Sequence, residues 1–86
     1  MTLSNKVALV TGGAMGIGFA VCEHLAEQGA RVVIADLDNA QAAADKLKQK
    51  GHQAIGVKTN VSEEGDTENM VKTALDEFGQ LDILVN

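Results

Sequence analysis

A glycine-rich turn between an apolar run and an amphipathic segment places the strongest constraint on the fold of this chain. The residues from Thr11 to Gly18 read Thr-Gly-Gly-Ala-Met-Gly-Ile-Gly and directly follow an apolar run at residues 7–10. A second apolar run, residues 32–35, ends in Asp36. A strand, a glycine-rich turn, a helix, a second strand and then an acid are typical of a dinucleotide site. The sequence therefore predicts an α/β fold with a nucleotide-binding edge.

The alternation of strands and helices continues along the whole chain, which we interpret as one domain over residues 1–86. Strands are predicted at about 6–11, 31–35, 53–58 and 81–85, and helices at about 16–28, 39–50 and 63–78. Asp38 or Asn39 is predicted to cap the second helix, and Ser62 the third. Right-handed crossovers predict a parallel sheet of order 3-2-1-4, with the first two helices on one face and the third on the other.

Each predicted helix has an apolar face at helical spacing, which we expect to be buried against the sheet. The predicted buried positions are Ile17, Ala20, Val21 and Leu25 in the first helix, Ala40, Ala43, Ala44 and Leu47 in the second, and Val71, Ala74, Leu75 and Phe78 in the third. Gly29 is predicted to end the first helix in the left-handed conformation, and Gly51 and Gly79 are predicted to end the other two.

Composition excludes several classes of partner. The formal net charge is −5, which argues against nucleic acid or an anionic membrane as a ligand. No apolar run approaches the ~20 residues that span a bilayer. Cys22 is the only cysteine, which fits a reducing cytoplasm. His24 and His52 are far apart and belong to no metal-ligand pattern, so no metal site is predicted.

Three glycines of the turn have separate predicted roles. Gly12 allows a sharp turn after the first strand, Gly16 lets the backbone approach a pyrophosphate, and Gly18 permits close packing of the helix on the sheet. The pyrophosphate is expected over the helix N-terminus, where backbone N–H groups bind anions. Ile17 is expected to anchor the start of the helix. The alternative is an ordinary glycine-rich turn without a ligand.

Asp36 determines the predicted cofactor. A carboxylate at the end of the second strand can accept hydrogen bonds from both ribose hydroxyls, and it repels a 2′-phosphate. No arginine or lysine stands at Ala14, Met15 or Leu37 to hold such a phosphate. NAD is therefore preferred over NADP, with Met15 and Leu37 among the predicted contacts. The alternative is that Asp36 only caps the turn after its strand.

These residues carry a resemblance to a known family. The motif Thr-Gly-Gly-Ala-Met-Gly-Ile-Gly is similar to the TGxxxGIG cofactor motif of short-chain dehydrogenases/reductases, and residues 81–86 resemble the approach to the family's NNAG motif. The likeness is especially close to NAD-dependent diacetyl or acetoin reductases. It implies a Rossmann-like three-layer α/β fold, ending here after the fourth strand. It also implies hydride transfer between NAD(H) and an alcohol or carbonyl substrate.

The resemblance implies three further cofactor contacts. Asn60 and Val61 stand where the family usually has Asp-Val beside the adenine, and Asn60 keeps a carbonyl acceptor while losing the charge. Asn86 matches the first asparagine of NNAG, near the adenine ribose. The alternative for Asn60 is a turn residue.

The family's catalytic serine and Tyr-x-x-x-Lys pair come from elements after the fourth strand, and this chain has no tyrosine. We therefore expect no catalytic residue here and an NAD-binding half that is inactive alone. Three alternatives stay open: an oxidoreductase completed by another chain, a methyltransferase-like site, and a self-associating structural unit. Self-association into a homo-oligomer is expected through the exposed fourth strand or the uncovered sheet face.

Overall fold

Strands and helices alternate in the computed structural model, which describes residues 2–86. The strands are β1 (Val7–Thr11), β2 (Arg31–Asp36), β3 (Ala54–Lys58) and β4 (Ile83–Val85), and the helices are α1 (Gly16–Glu27), α2 (Ala40–Gln49) and α3 (Glu64–Phe78). All strand pairs are parallel, and the order is β3-β2-β1-β4. The predicted fold class and strand order are confirmed. None of the helices in residues 2–86 has the length and apolar character to cross a bilayer.

The two central strands, β1 and β2, are buried on both faces. Val10 and Ile34 face a core cluster that includes residues of α1 and α2. Leu9 and Val33 face a second cluster that includes residues of α3. A strand covered on both sides carries a continuous run of short aliphatic side chains, which is the composition of β1 and β2. The prediction of two helices on one face and one on the other is therefore confirmed.

The buried face of α1 differs from the predicted one. Ile17 and Ala20 are exposed, whereas Cys22 and Ala26 are buried. With Gly18, these two small residues form a stripe at every fourth position along α1. Small side chains let the helix axis approach the sheet closely, so the larger aliphatic residues lie at the margins of the contact. Val21 and Leu25 pack against the core as predicted, but they are only partly buried. The prediction failed for Ile17 and Ala20 because it selected the most apolar face instead of the smallest one.

The predicted buried faces of α2 and α3 agree more closely with the structure. All four predicted residues of α2 are buried. In α3, Ala74 is buried as predicted, but Met70 takes the second central position and Leu75 is 46% exposed. Methionine is unbranched and fills irregular gaps, so its place in the core depends on local packing more than on its hydropathy.

The predicted helix caps are wrong, whereas the predicted helix ends are confirmed. Asn39 precedes α2 with φ of 63° and makes no capping bond through its side chain, and Glu63 precedes α3 without one. Ser62 donates its hydroxyl to Asn60 Oδ1 at 2.6 Å instead. The glycines after the three helices all have positive φ: Gly29, Gly51 and Gly79.

Asp82 joins the edge strand to the start of the sheet. Its Oδ2 accepts hydrogen bonds from the Val7 backbone N–H at 2.9 Å and from Gln80 Nε2 at 2.7 Å. Its own backbone N–H donates to the Val7 carbonyl at 2.9 Å. The hydrogen bond from Gln80, followed by that from Val7, lowers the pKa of Asp82 below its ordinary value. The charged carboxylate is therefore the form that holds the segment before β4 against β1 through its hydrogen bond from Val7.

We predict that Asp82→Ala lowers the urea midpoint of unfolding at neutral pH. Because the pKa is lower in the folded protein, the carboxylate's contribution is present above the unfolded-state pKa and is lost as pH falls through the folded-state pKa. The difference between wild type and variant should therefore shrink under acid conditions. Asp82→Asn, which keeps a carbonyl acceptor without the charge, should show an intermediate midpoint. Equal midpoints for wild type and Asp82→Ala at neutral pH would contradict this role.

Candidate functional site

The residues predicted to bind a cofactor lie just beyond the carboxyl ends of the four parallel strands. The glycine-rich turn follows β1, Leu37 follows β2, Asn60 and Val61 come after β3, and Asn86 comes after β4. Since parallel strands end at one edge of a sheet, the fold brings these segments to the same edge. The connection from β1 leaves toward one face and that from β3 toward the other, which makes the β1–β4 boundary the topological switch point. Ligands of such sheets bind at this point.

The turn itself has a conformation that depends on glycine. Gly12 and Gly16 have φ of 67° and 60°, and an added Cβ at either would meet nothing within 4 Å. A Cβ on Gly18 would lie 2.0 Å from the Gly12 carbonyl oxygen. The backbone therefore curves around open space at the first two glycines and packs on itself at the third.

The N-terminus of α1 is open to an anion. Met15 precedes the helix and makes no side-chain capping bond, and the first turn holds no acidic residue. Phe19 N–H donates to the Met15 carbonyl at 3.3 Å. The N–H groups of Gly16, Ile17 and Gly18 come before this first helical bond, and they carry the positive end of the helix dipole. Such a group of donors binds phosphate without a basic side chain.

Exposed apolar side chains cluster at this edge. Among residues 2–86, six large hydrophobic side chains are exposed, and four of them are predicted cofactor contacts: Met15, Ile17, Leu37 and Val61. Ile17 is 86% exposed, so its predicted role as an anchor of the helix is wrong. Apolar surface concentrated beside convergent polar groups is typical of a small-molecule site.

The Asp36 carboxylate is hydrogen-bonded to the glycine-rich turn. Its Oδ2 accepts a hydrogen bond from the Ala14 N–H at 3.0 Å, and its Oδ1 accepts one from the Leu37 N–H at 2.8 Å. The second bond is the local turn cap that was the alternative interpretation. The first joins the ends of β1 and β2 and had no signal in the sequence. Each oxygen retains capacity for one further donor.

The Asn60 side chain stabilises a local turn. Its Oδ1 accepts from both the backbone N–H and the hydroxyl of Ser62, at 3.1 and 2.6 Å. Its backbone N–H donates to Asp66 Oδ2 at 2.9 Å. The side-chain carbonyl expected to face adenine therefore has two local donors in this structure. Asp66, which holds the loop in place, was not identified from the sequence.

Asn86 lies beside the end of β1. Its Oδ1 is 3.2 Å from Thr11 Oγ1, which also donates toward the Val85 carbonyl at 3.3 Å. Thr11 therefore links β1 to β4 across the switch point. Asn86 lies at the edge expected from the sequence, whereas no sequence signal indicated this linking role for Thr11.

Cys22 has a packing role, as predicted. It is fully buried, and its thiol lies 3.7 Å from the Gly13 carbonyl. Burial raises the pKa of Cys22 to about 12, which keeps the thiol protonated and unreactive at neutral pH. A Cβ on Gly13 would lie 2.9 Å from this sulfur, so Gly13 is also required by packing. Residues 2–86 contain no group of three potential metal ligands.

Comparison with protein families matches nearly the whole chain to one family. The family model described as short chain dehydrogenase matches residues 6–86. The chain belongs to the short-chain dehydrogenase family. The resemblance seen in the sequence is thus confirmed, and the methyltransferase-like alternative is not supported.

Curated relatives of this short-chain dehydrogenase sequence include enzymes with different named substrates. A (2S)-[(R)-hydroxy(phenyl)methyl]succinyl-CoA dehydrogenase subunit from Thauera aromatica is 41% identical over 100% of the chain and 36% of the relative. A diacetyl reductase [(S)-acetoin forming] from Staphylococcus epidermidis is 39% identical over 95% of the chain and 33% of the relative. A 3-hydroxyacyl-CoA dehydrogenase type-2 from Drosophila melanogaster is 43% identical over 98% and 32%, respectively. The chain spans about a third of the length of these relatives.

Gly18→Ala should disrupt the glycine-rich turn of this chain. The new methyl group would overlap the Gly12 carbonyl, which is backbone and cannot rotate away, so we predict destabilisation by about 1–3 kcal/mol or more. Gly65→Ala is the matched control, since a Cβ there meets nothing within 4 Å. It lies in the first turn of α3 and should stabilise the protein by up to about 1 kcal/mol. Chemical denaturation followed by circular dichroism measures both, and similar unfolding curves for the two variants would contradict this account.

Proposed function

We propose that this chain is the NAD(H)-binding portion of a short-chain dehydrogenase. The observation that carries the proposal is the open glycine-rich turn. The turn leads into the uncapped N-terminus of α1 and is hydrogen-bonded to the Asp36 carboxylate. The turn offers donors to a pyrophosphate, and the carboxylate offers acceptors to the adjacent ribose. The donors of the turn and the acceptors of Asp36 lie at one edge, in the same order as the pyrophosphate and the adjacent ribose of a dinucleotide.

Different residues at this edge would bind different parts of the cofactor. The N–H groups of Gly16, Ile17 and Gly18 would hold the pyrophosphate, and Asp36 the ribose hydroxyls. Leu37 and Val61 follow neighbouring strands, and their exposed side chains would cover apolar ring surface of the adenine. Asn86 completes the proposed contacts at the end of β4. Asn60, whose Oδ1 already accepts two hydrogen bonds from Ser62, would contribute through its side-chain NH₂ group. NAD, when bound, supplies hydride acceptance, whereas this segment supplies binding and orientation.

The preference for NAD over NADP follows from charge. A 2′-phosphate would lie against the Asp36 carboxylate, and no basic residue stands at positions 14, 15 or 37. Lys58 is the partner of Asp36 in the β2–β3 register and is exposed, so its charge partly offsets the repulsion. We therefore propose a preference of about tenfold, which corresponds to about 1.4 kcal/mol.

Calorimetric titration of the chain tests this proposal. NAD should saturate the protein at lower concentration than NADP, with affinity in the micromolar-to-millimolar range because few ligand atoms are buried by this portion alone. S-adenosylmethionine, which carries adenosine without a pyrophosphate, is the control and should give no saturating heat. No saturation by either dinucleotide would contradict the proposal.

A second candidate is a self-associating structural unit with little cofactor affinity. One observation favours it: β4 pairs only with β1 in this sheet, and Leu84 is 54% exposed on it. An unpaired strand edge is a template for pairing with another copy. Concentration-dependent dimers in sedimentation, together with absent NAD binding, would favour this candidate over the first.

Catalysis is proposed to reside outside these 86 residues. The family resemblance implies a Tyr-x-x-x-Lys pair as the source of proton transfer, and the chain contains no tyrosine. We propose that the whole protein is an oxidoreductase of alcohols or carbonyls in a reducing compartment such as the cytoplasm, since Cys22 is a free thiol.

The 86-residue chain, mixed with NADH and diacetyl, is predicted to cause no loss of NADH absorbance, since it has no tyrosine to protonate the carbonyl oxygen. The diacetyl reductase of Staphylococcus epidermidis serves as the positive control under the same conditions. Turnover by the chain alone would show that another side chain supplies the proton and would overturn this part of the proposal.

A further inference from the structure

The Asp36 side chain connects two segments that are separate in the sequence. Its Oδ2 accepts from the N–H of Ala14, 22 residues earlier, and its Oδ1 accepts from the N–H of Leu37. Ala14 lies in the middle of the glycine-rich turn and is only 8% exposed. The carboxylate proposed to bind ribose therefore also contacts the turn that leads into the N–H groups proposed to bind pyrophosphate.

We infer that Asp36 is a positioning residue for the glycine-rich turn, in addition to any contact with a ribose. The inference rests on the proposed function for its relevance to the cofactor, but the contact itself exists in the ligand-free protein. One carboxylate thereby couples the two halves of the dinucleotide site. Its removal disturbs the pyrophosphate end even where the ligand has no ribose hydroxyls.

The turn needs such a contact because its own sequence provides little rigidity. Two of the four residues between β1 and α1 are glycines, which lose more conformational freedom on ordering than any other residue. Two hydrogen bonds attach this turn to the end of β2: Gly12 N–H to the Ala35 carbonyl at 2.8 Å, and Ala14 N–H to Asp36. The second has a charged acceptor, and such bonds are about twice as strong as neutral ones.

Positioning and ligand binding are compatible in one carboxylate. An ionised carboxylate offers about four acceptor positions, two on each oxygen. The N–H groups of Ala14 and Leu37 occupy one on each oxygen. One position on each oxygen remains, which is the number that two ribose hydroxyls require. The turn can therefore stay fixed while the ribose binds.

Amide hydrogen exchange in the ligand-free chain tests the inference directly. Asp36→Asn is nearly isosteric, but a carboxamide has one oxygen and must turn its NH₂ group toward either Ala14 N–H or Leu37 N–H. In either orientation the Ala14 N–H loses its charged acceptor, so we expect Ala14 exchange to accelerate roughly tenfold in this variant. Amides of Leu9 and Val33 in the central strands should not change. Asp38→Asn, an exposed neighbour with the same charge change, is the matched control and should leave Ala14 unchanged.

A ligand without ribose hydroxyls gives the second measurement. 2′,3′-Dideoxyadenosine diphosphate retains the pyrophosphate, and loss of a negative protein charge should by itself tighten its binding. We expect Asp36→Asn to weaken it roughly threefold or more, because the turn loses its fixed conformation. Asp38→Asn should not weaken it.

The outcomes separate this inference from the proposed function. Unchanged Ala14 exchange, exchange that accelerates equally at Leu9 and Val33, or equal or tighter binding of the dideoxy nucleotide to Asp36→Asn would overturn the positioning role. Acceleration confined to the turn, with no nucleotide or dinucleotide bound by wild type, would uphold the positioning role while the proposed function fails.

Discussion

The close approach of Gly18 to the Gly12 carbonyl is the contact on which the rest of the site depends. An added Cβ at Gly18 would lie 2.0 Å from that oxygen, so only a glycine allows α1 to start where it does. This start places the first N–H groups of the helix beside the switch point between β1 and β4. The same stripe of α1 continues through Cys22 and Ala26, whose small side chains keep the helix close to the sheet along its length.

Burial of the sheet on two faces explains why the overall fold could be predicted from the sequence. β1 and β2 are continuous aliphatic runs, and the alternation with helices leaves parallel pairing as the arrangement that covers both faces. Strand order then follows from the handedness of the crossovers, and the positions of Asp36, Asn60 and Asn86 follow from strand order. These predictions depend on patterns spread over many residues, and the structure confirms the fold and the placement at one edge.

The predictions that failed, and the contact that was missed, depended on single packing or hydrogen-bond contacts. The rotation of α1 is determined by which residues are small enough to touch the sheet, and apolar periodicity does not encode this. Ser62 does not cap α3, since Glu63 occupies the position before the helix, and the Ser62 hydroxyl donates to Asn60 Oδ1. The bond from Ala14 to Asp36 joins two turns that become neighbours only when β1 and β2 pair in register. Such contacts form only in the folded chain, and no local sequence pattern predicts them.

An acidic chain can still present an anion site because its donors belong to the backbone. With a net charge of −5, long-range attraction does not favour a dinucleotide. The N–H groups at the start of α1 act only at short range, within the first turn of the helix. In the proposed function, selectivity would depend on geometry: a phosphate on these donors would be stabilised, whereas one against Asp36 would be repelled. The negative charge of the protein would then increase the difference in affinity between ligands that differ by one phosphate, because only the position over the turn compensates it.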